Sequence, residues 1–218
     1  PFSIMLASKH HPKTGPVFES SLVGLPADCW FVLAFILIVM ILLTVFYIQF
    51  QNIEVEYVVS KIDGRAYLVK NLSDKQKAAD MLAKLNNTLQ SLVKRMVKVY
   101  PDSQDVKRLV SNYSPESLSE GTETSNYTSY SVNKGEKIVF CLRSRDGDNT
   151  LVKLNVLKYV AIHELSHLMT KEIGHPPVFW ENFKLLLQTA VDAGLYKATN
   201  YSKKPANYCG MTIKSSVI

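Results

Sequence analysis

Cysteine is scarce in this chain. Cys29, Cys141 and Cys209 are odd in number and far apart, which excludes a disulfide scaffold and offers no cysteine pair at metal-binding spacing; free thiols in a reducing compartment are expected. No serine or cysteine nucleophile stands beside a paired base, and no glycine-rich phosphate loop occurs, so acyl transfer through an activated hydroxyl or thiol and nucleotide binding of the P-loop kind are excluded. Dense basic and aromatic interleaving is missing too. Lys and Arg number 25 against 19 Asp and Glu, a net charge of +6, but the cations are spread along the chain, which predicts a solvated surface and no nucleic-acid partner.

Charge is absent altogether from residues 29–53. The run from Trp30 to Ile48 is almost entirely apolar and, at 1.5 Å per residue, would extend roughly 28 Å as a helix, about one bilayer core. Trp30 and Tyr47 sit near its ends, where interfacial aromatics are favoured. A cleaved signal peptide has a shorter apolar core close to a basic start, whereas here a polar arm of 28 residues comes first. One transmembrane helix over 29–50 is therefore predicted. Lys61, Arg65 and Lys70 follow it, against Lys13 and the more distant Lys9 before it, which puts the C-terminal part on the cytosolic or equivalent side. Asn71, Asn86, Asn126 and Asn200 each begin a glycosylation sequon, without consequence on that side.

The pattern divides the rest. Residues 1–28, with Pro12, Pro16, Pro26, Gly15 and Gly24, read as an irregular arm, in which His10 and His11 bind metal at most adventitiously. Residues 51–110 read as a hairpin and a long amphipathic helix. Ile53, Val55, Tyr57 and Val59 alternate with Glu54, Glu56 and Val58, Asp63-Gly64 supplies a two-residue turn, and Ala66–Val69 returns. Ser73-Asp74-Lys75-Gln76 has the form of a capping box for a helix over about 74–99, with Ala78, Leu82, Leu85, Leu89 and Met96 on one face. Residues 111–218 hold the remainder: a polar loop to about 133 that borders a cleft or a partner surface, strands at 127–132 and 137–142, a turn at Arg143–Asn149, and two helices.

The first of those helices carries His163-Glu164-Leu165-Ser166-His167. Positions four apart lie on one helical face, so two imidazoles can reach one metal ion, with Glu164 next to the first as a general base. By residue frequencies alone, chance produces such a motif in a chain of this length on the order of once in a hundred. A catalytic zinc site typically takes three protein ligands. His175 is expected as the third, with Gly174 ending the first helix and Pro176-Pro177 opening the second; Glu181 is the alternative. Phe179, Phe183, Leu186, Leu187 and Ala190 give the second helix its apolar face, and Tyr196, Tyr201 or Tyr208 could supply a phenolic donor to an oxyanion.

The motif, with Gly174-His175-Pro176 and Phe179-Trp180 following, resembles the zinc peptidases of the WLM and SprT type. Pro176-Pro177 departs from the Gly-His-Gly of many relatives. The resemblance covers roughly residues 137–190. It implies zinc on His163, His167 and His175, Glu164 as base, and an α+β, zincin-like domain in which the motif helix and a second helix pack on a short antiparallel sheet. It also implies that the strand before the motif helix forms the cleft edge to which an extended protein or peptide substrate adds. The segments Lys61–Arg65, Asn71–Gln76 and Tyr208–Ile213 are also similar to membrane-anchored proteins of large nucleocytoplasmic DNA viruses. From that follows a second expectation, a structural virion, minor capsid or assembly-scaffold protein that contacts capsid or assembly partners in a viral inner membrane.

Overall fold

A computed structural model describes residues 27–51, 54–122, 128–145 and 147–218. The arm up to residue 26, with His10 and His11, together with Asn126, Tyr127 and Asp146, lies outside them. Residues 1–52 and 53–218 form separate units. In the first, α1 (Ala27–Gln51) is long and apolar enough over Cys29–Gln49 to cross a membrane, and its large apolar side chains are exposed on every side.

The second unit is mixed α/β. A five-stranded sheet runs in the order β1 (Val55–Val59), β2 (Ala66–Lys70), β3 (Leu118–Glu120), β5 (Lys137–Phe140), β4 (Ser129–Val132). The sheet is mixed, not antiparallel as expected: β1–β2 and β4–β5 are antiparallel, but β2–β3 and β3–β5 are parallel. The reason is the connection. The chain leaves β2 through α2 (Lys75–Val99) and α3 (Gln104–Asn112) and returns to the same edge, and a helical crossover of that kind sets strands parallel. This pairing also joins residues 51–110 and 111–218 into one sheet. The supposed loop after residue 111 therefore contains a strand, β3, fully buried though only three residues long and two-thirds polar.

Three other expectations give way. The β1–β2 connection spans Ser60–Arg65 instead of a two-residue turn, because the Asp63 carboxylate accepts from Arg65 N–H and the Tyr67 hydroxyl (2.7 Å) and holds the loop open. The capping box does not form at α2. Asp74 is the N-cap but makes no side-chain cap; its carboxylate accepts from Arg143 Nη1 at 2.7 Å, and Gln76 turns to the Val59 carbonyl and Asp80. Finally, Cys141 and Cys209 are joined in a disulfide across 68 residues, so they are not free thiols. Cys209 and Gly210 both have positive φ (50° and 83°) in the two-residue turn between β6 (Ala206–Tyr208) and β7 (Met211–Ile213), a geometry such hairpins require. The fold brings that turn to the end of β5.

One core ties the layers together. Tyr67, Val69, Ile138 and Phe140 from the sheet pack on Leu82, Leu85 and Leu89 of α2, on Leu157, Leu165 and Leu168 of α4 (Leu154–Met169), and on Phe183 and Leu186 of α5 (Pro177–Asp192). Burying such side chains stabilises by roughly 1.5–3 kcal/mol each. Asn86 lies in this core with both its donors and its oxygen engaged: its amide donates to Tyr67 and to the Pro115 carbonyl (both 2.8 Å), and its oxygen accepts from Tyr113 (2.7 Å). A buried amide paired in this way costs little, whereas one left bare would cost about 1–3 kcal/mol.

Candidate metal centre

Helix α4 is amphipathic only weakly, since apolar side chains meet α2, α3 and α5 on several sides. On its remaining face His163 and His167 are one turn apart, with ring centroids 5.0 Å apart. The helix stops at Met169, five residues before Gly174. Thr170 is extended, and Gly174 (φ 82°) lies within the loop, where its left-handed conformation turns the chain back towards α4. Pro177 occupies the first turn of α5, where a missing N–H is harmless. His175 is thereby placed in the corner between the helices. Its Nε2 is 3.2 Å from His163 Nε2, and one ring nitrogen of each of the three histidines falls within 4.8 Å of the others. Glu181 is exposed on α5 and is not in this group.

The donor set suits zinc. Two ligands of a tetrahedral ion with bonds of about 2.0–2.1 Å stand about 3.3–3.4 Å apart, close to the His163–His175 separation. Burial, then the neighbouring His167 and His175, push the His163 imidazole down to about 3; burial, His175 and Lys134 bring His167 to about 4. Both rings are thus neutral at physiological pH, the state a metal needs. Phe179 makes the floor, 4.9 Å from His163, 4.4 Å from His167 and 4.6 Å from His175, and Trp180 lies against His175. Phe179 replaces water beneath His163 and His167, while His175 stays exposed.

Glu164 is 5% exposed, and burial pushes its carboxyl up to about 7. A group at that value both takes and gives a proton near neutrality. Of the three tail tyrosines, Tyr208 is the one that feels the Glu164 charge: burial first, and then that charge, pushes its phenol up, while its hydroxyl shares a 2.7 Å hydrogen bond with Ser129 of β4. Tyr196 and Tyr201 pack on Tyr159 instead, with Tyr201 4.9 Å away. All three are buried.

The sheet edge beside the site differs from expectation. Strand β5, which precedes the motif helix, pairs on both sides, with β3 and β4; the edge is β4, which packs against α4. A hairpin whose second strand is also claimed by β3 leaves its first strand outermost.

The end of α4 is held by residues with no sequence signal near the motif. Lys134, in the left-handed turn between β4 and β5, donates to the carbonyls of His167 (3.3 Å), Thr170 (2.9 Å) and Glu172 (3.0 Å). Asn112 donates to Leu168 and Arg108 to Met169. Together they satisfy the carbonyls a helix leaves bare at its end and place cations against the negative end of its dipole. Their separation from those carbonyls, 33–61 residues, hides them from local reading.

No family model matches the chain, and no solved structure matches it. Residues are 37% identical over 82 positions to the uncharacterized protein 136R of Invertebrate iridescent virus 6, a match that covers 37% of this chain and 44% of that protein. They are 30% identical over 190 positions to the uncharacterized protein R325 of Acanthamoeba polyphaga mimivirus, covering 84% of this chain and 94% of that protein. On that extent of likeness, the chain belongs to the viral protein family of R325.

Proposed function

We propose that the protein is a membrane-anchored zinc metallopeptidase with a zincin-like core of the WLM and SprT type. The observation that carries the reading is the convergence of His163, His167 and His175 from two turns of α4 and the corner after it, with a carboxylate poised near neutrality beside them. When bound, zinc supplies Lewis acidity and acidifies water. Glu164 then takes the proton of the attacking water as the carbon–oxygen bond forms at the peptide carbonyl, and passes it to the leaving nitrogen as the carbon–nitrogen bond breaks. The outermost strand of the sheet, β4, lies alongside α4, where an extended peptide would add to it. Phe179 keeps water from the far side of the His163 and His167 imidazoles.

Helix α1 spans the bilayer in this reading, and the second unit faces the cytosolic or equivalent side. Lys61, Arg65 and Lys70 after the helix support that side. So does Asn86. Its sequon sits in the core with the amide fully engaged, and a glycan added in a lumen would forbid that burial. The Cys141–Cys209 bond pulls the other way, since such links persist in oxidising compartments.

The deciding test uses the full chain with Glu164→Gln. The parent is expected to hold one zinc and cleave a peptide library or its assembly partners, and the variant to keep zinc and lose activity by roughly a hundredfold or more. A parent that binds no stoichiometric zinc removes the site. One that binds zinc and cleaves nothing, with particle assembly equally supported by the variant, makes the protein a structural membrane component of the virion instead.

A further inference from the structure

In β1 the apolar side chains are on the outer side of the strand. The alternation of Val55, Tyr57 and Val59 with Glu54, Glu56 and Val58 predicts an apolar face turned to the core, yet Tyr57 is 74% exposed and Val59 60%. The register explains the inversion. Glu56 and Val58 pair with Val69 and Tyr67, which share a core with α2, and Glu56 is ion-paired with Lys75 at the start of that helix. Side chains alternate between the two faces of a sheet, so Tyr57 and Val59 stand on the face away from the helices.

That face can be followed from strand to strand. Tyr57 pairs with Leu68, Leu68 with Ser119, Ser119 with Val139 and Val139 with Tyr130, so these five form one row. Ser119 and Val139, at its centre, are buried; the exposed apolar side chains gather at the β1–β2 corner, where Ile62 of the connecting loop joins Tyr57 and Val59. No Asp or Glu takes an outward position on this face in the five strands, whereas Lys70 and Lys137 do, opposite Val55 and Val132. The solvated face of a sheet is ordinarily polar, and an apolar corner rimmed by cations marks a contact surface.

The length of the chain says what it contacts. Only residues 52–54 separate α1 from β1, and the four residue steps from Gln51 to Val55 reach at most roughly 14 Å. The inference rests on the reading that α1 spans the bilayer: β1 then starts beside the headgroups, and residues 1–26 lie across the membrane, out of reach. We propose that the outer face of the β1–β2 corner, Tyr57, Val59 and Ile62, rests on the surface of the membrane that α1 crosses, with the exposed Lys61 among anionic headgroups. A tyrosine is favoured at that boundary, and a lysine gains from the negative potential there. The tether keeps the local lipid concentration high, so a small apolar contact suffices.

The test uses the full chain with Trp30→Phe and Trp180→Phe, which leaves an introduced indole as the only one, at one copy per nanodisc of phosphatidylcholine and phosphatidylserine. Tyr57→Trp and, as a second reporter, Val59→Trp are each expected to lose about half their emission when the upper acyl chains are brominated and to resist acrylamide, because an interfacial apolar face sits about 5–10 Å into the headgroup–acyl boundary. Lys84→Trp, at an exposed position of α2 behind the sheet, should show the reverse. Indoles at positions 57 and 59 that acrylamide quenches as strongly as the one at 84, with no loss to brominated lipid, overturn the proposal. Shielding from acrylamide without lipid quenching also overturns it, and where that shielding needs two copies per disc the cover is a second copy of the chain. A chain that does not stay with the discs removes the anchor itself, and the proposal with it.

Discussion

Lys134 Nζ stands 2.9 Å from the carbonyl oxygen of Thr170, the residue that closes the histidine-bearing helix. The same ammonium reaches the carbonyls of His167 and Glu172, so a turn in the sheet sets where α4 ends and where the loop to His175 begins.

Replacing Lys134 with Met keeps the length of the side chain and removes the charge and donors. A cation at a helix end contributes about 0.3–1 kcal/mol exposed and up to about 2 kcal/mol when partly buried, and burial already holds the Lys134 ammonium below its usual range. Thermal unfolding is expected to report a loss of about 1–2 kcal/mol, and a zinc-chelator competition a ~10-fold weaker site. Unchanged zinc affinity would mean that the corner positions His175 without this tie.

The third ligand separates from its alternative by substitution. His175→Ala is expected to release metal from the purified protein, since two imidazoles make a weak zinc site. Glu181→Ala, on the exposed face of α5, should retain it. Elemental analysis of both variants distinguishes the two residues.

The Cys141–Cys209 link closes a loop of 68 residues, for which chain entropy gives a stabilisation of roughly 4 kcal/mol. Cys209→Ser should lower the unfolding midpoint, and the parent should run faster on a non-reducing than on a reducing gel. Equal mobility with full thiol titration would show that the bond is not made. Because Tyr208 precedes Cys209 and touches Ser129 on the edge strand, loss of the link is also expected to loosen β4 and raise its amide exchange.

Asn86→Ala strips three hydrogen bonds from the core and leaves the Tyr67 and Tyr113 hydroxyls and the Pro115 carbonyl short of partners. The expected cost is about 2–4 kcal/mol, read from denaturant midpoints. Glycosylation mapping on the intact parent tests orientation with the exposed Asn71 and Asn200: no glycan at either is expected. A glycan on them would place the second unit in the lumen.

Alkaline carbonate extraction should leave the protein with the membrane fraction, because α1 exposes apolar side chains all round. Release into the supernatant would remove the anchor from the account.

What the sequence by itself determined is whatever depends on spacing within one element. The charge-free run predicted a helix able to cross a bilayer, the period of Ala78, Leu82, Leu85 and Leu89 predicted α2, and the interval of four between His163 and His167 put both rings on one face, because helical geometry is local. Tertiary structure decided what depends on partners far along the chain. A three-residue polar strand, Leu118–Glu120, has no period to read and exists because β2 and β5 flank it. The N-cap of α2 falls on Asp74, which makes no side-chain cap because Arg143, 69 residues on, takes its carboxylate. The end of α4 is set by Lys134, Arg108 and Asn112 and not by Gly174, since a carbonyl at a helix terminus accepts whichever donor the fold delivers. Cys141 and Cys209 look unrelated in sequence and meet only because the β6–β7 turn is brought to the end of β5: contact follows the path of the chain in space, which local spacing does not encode.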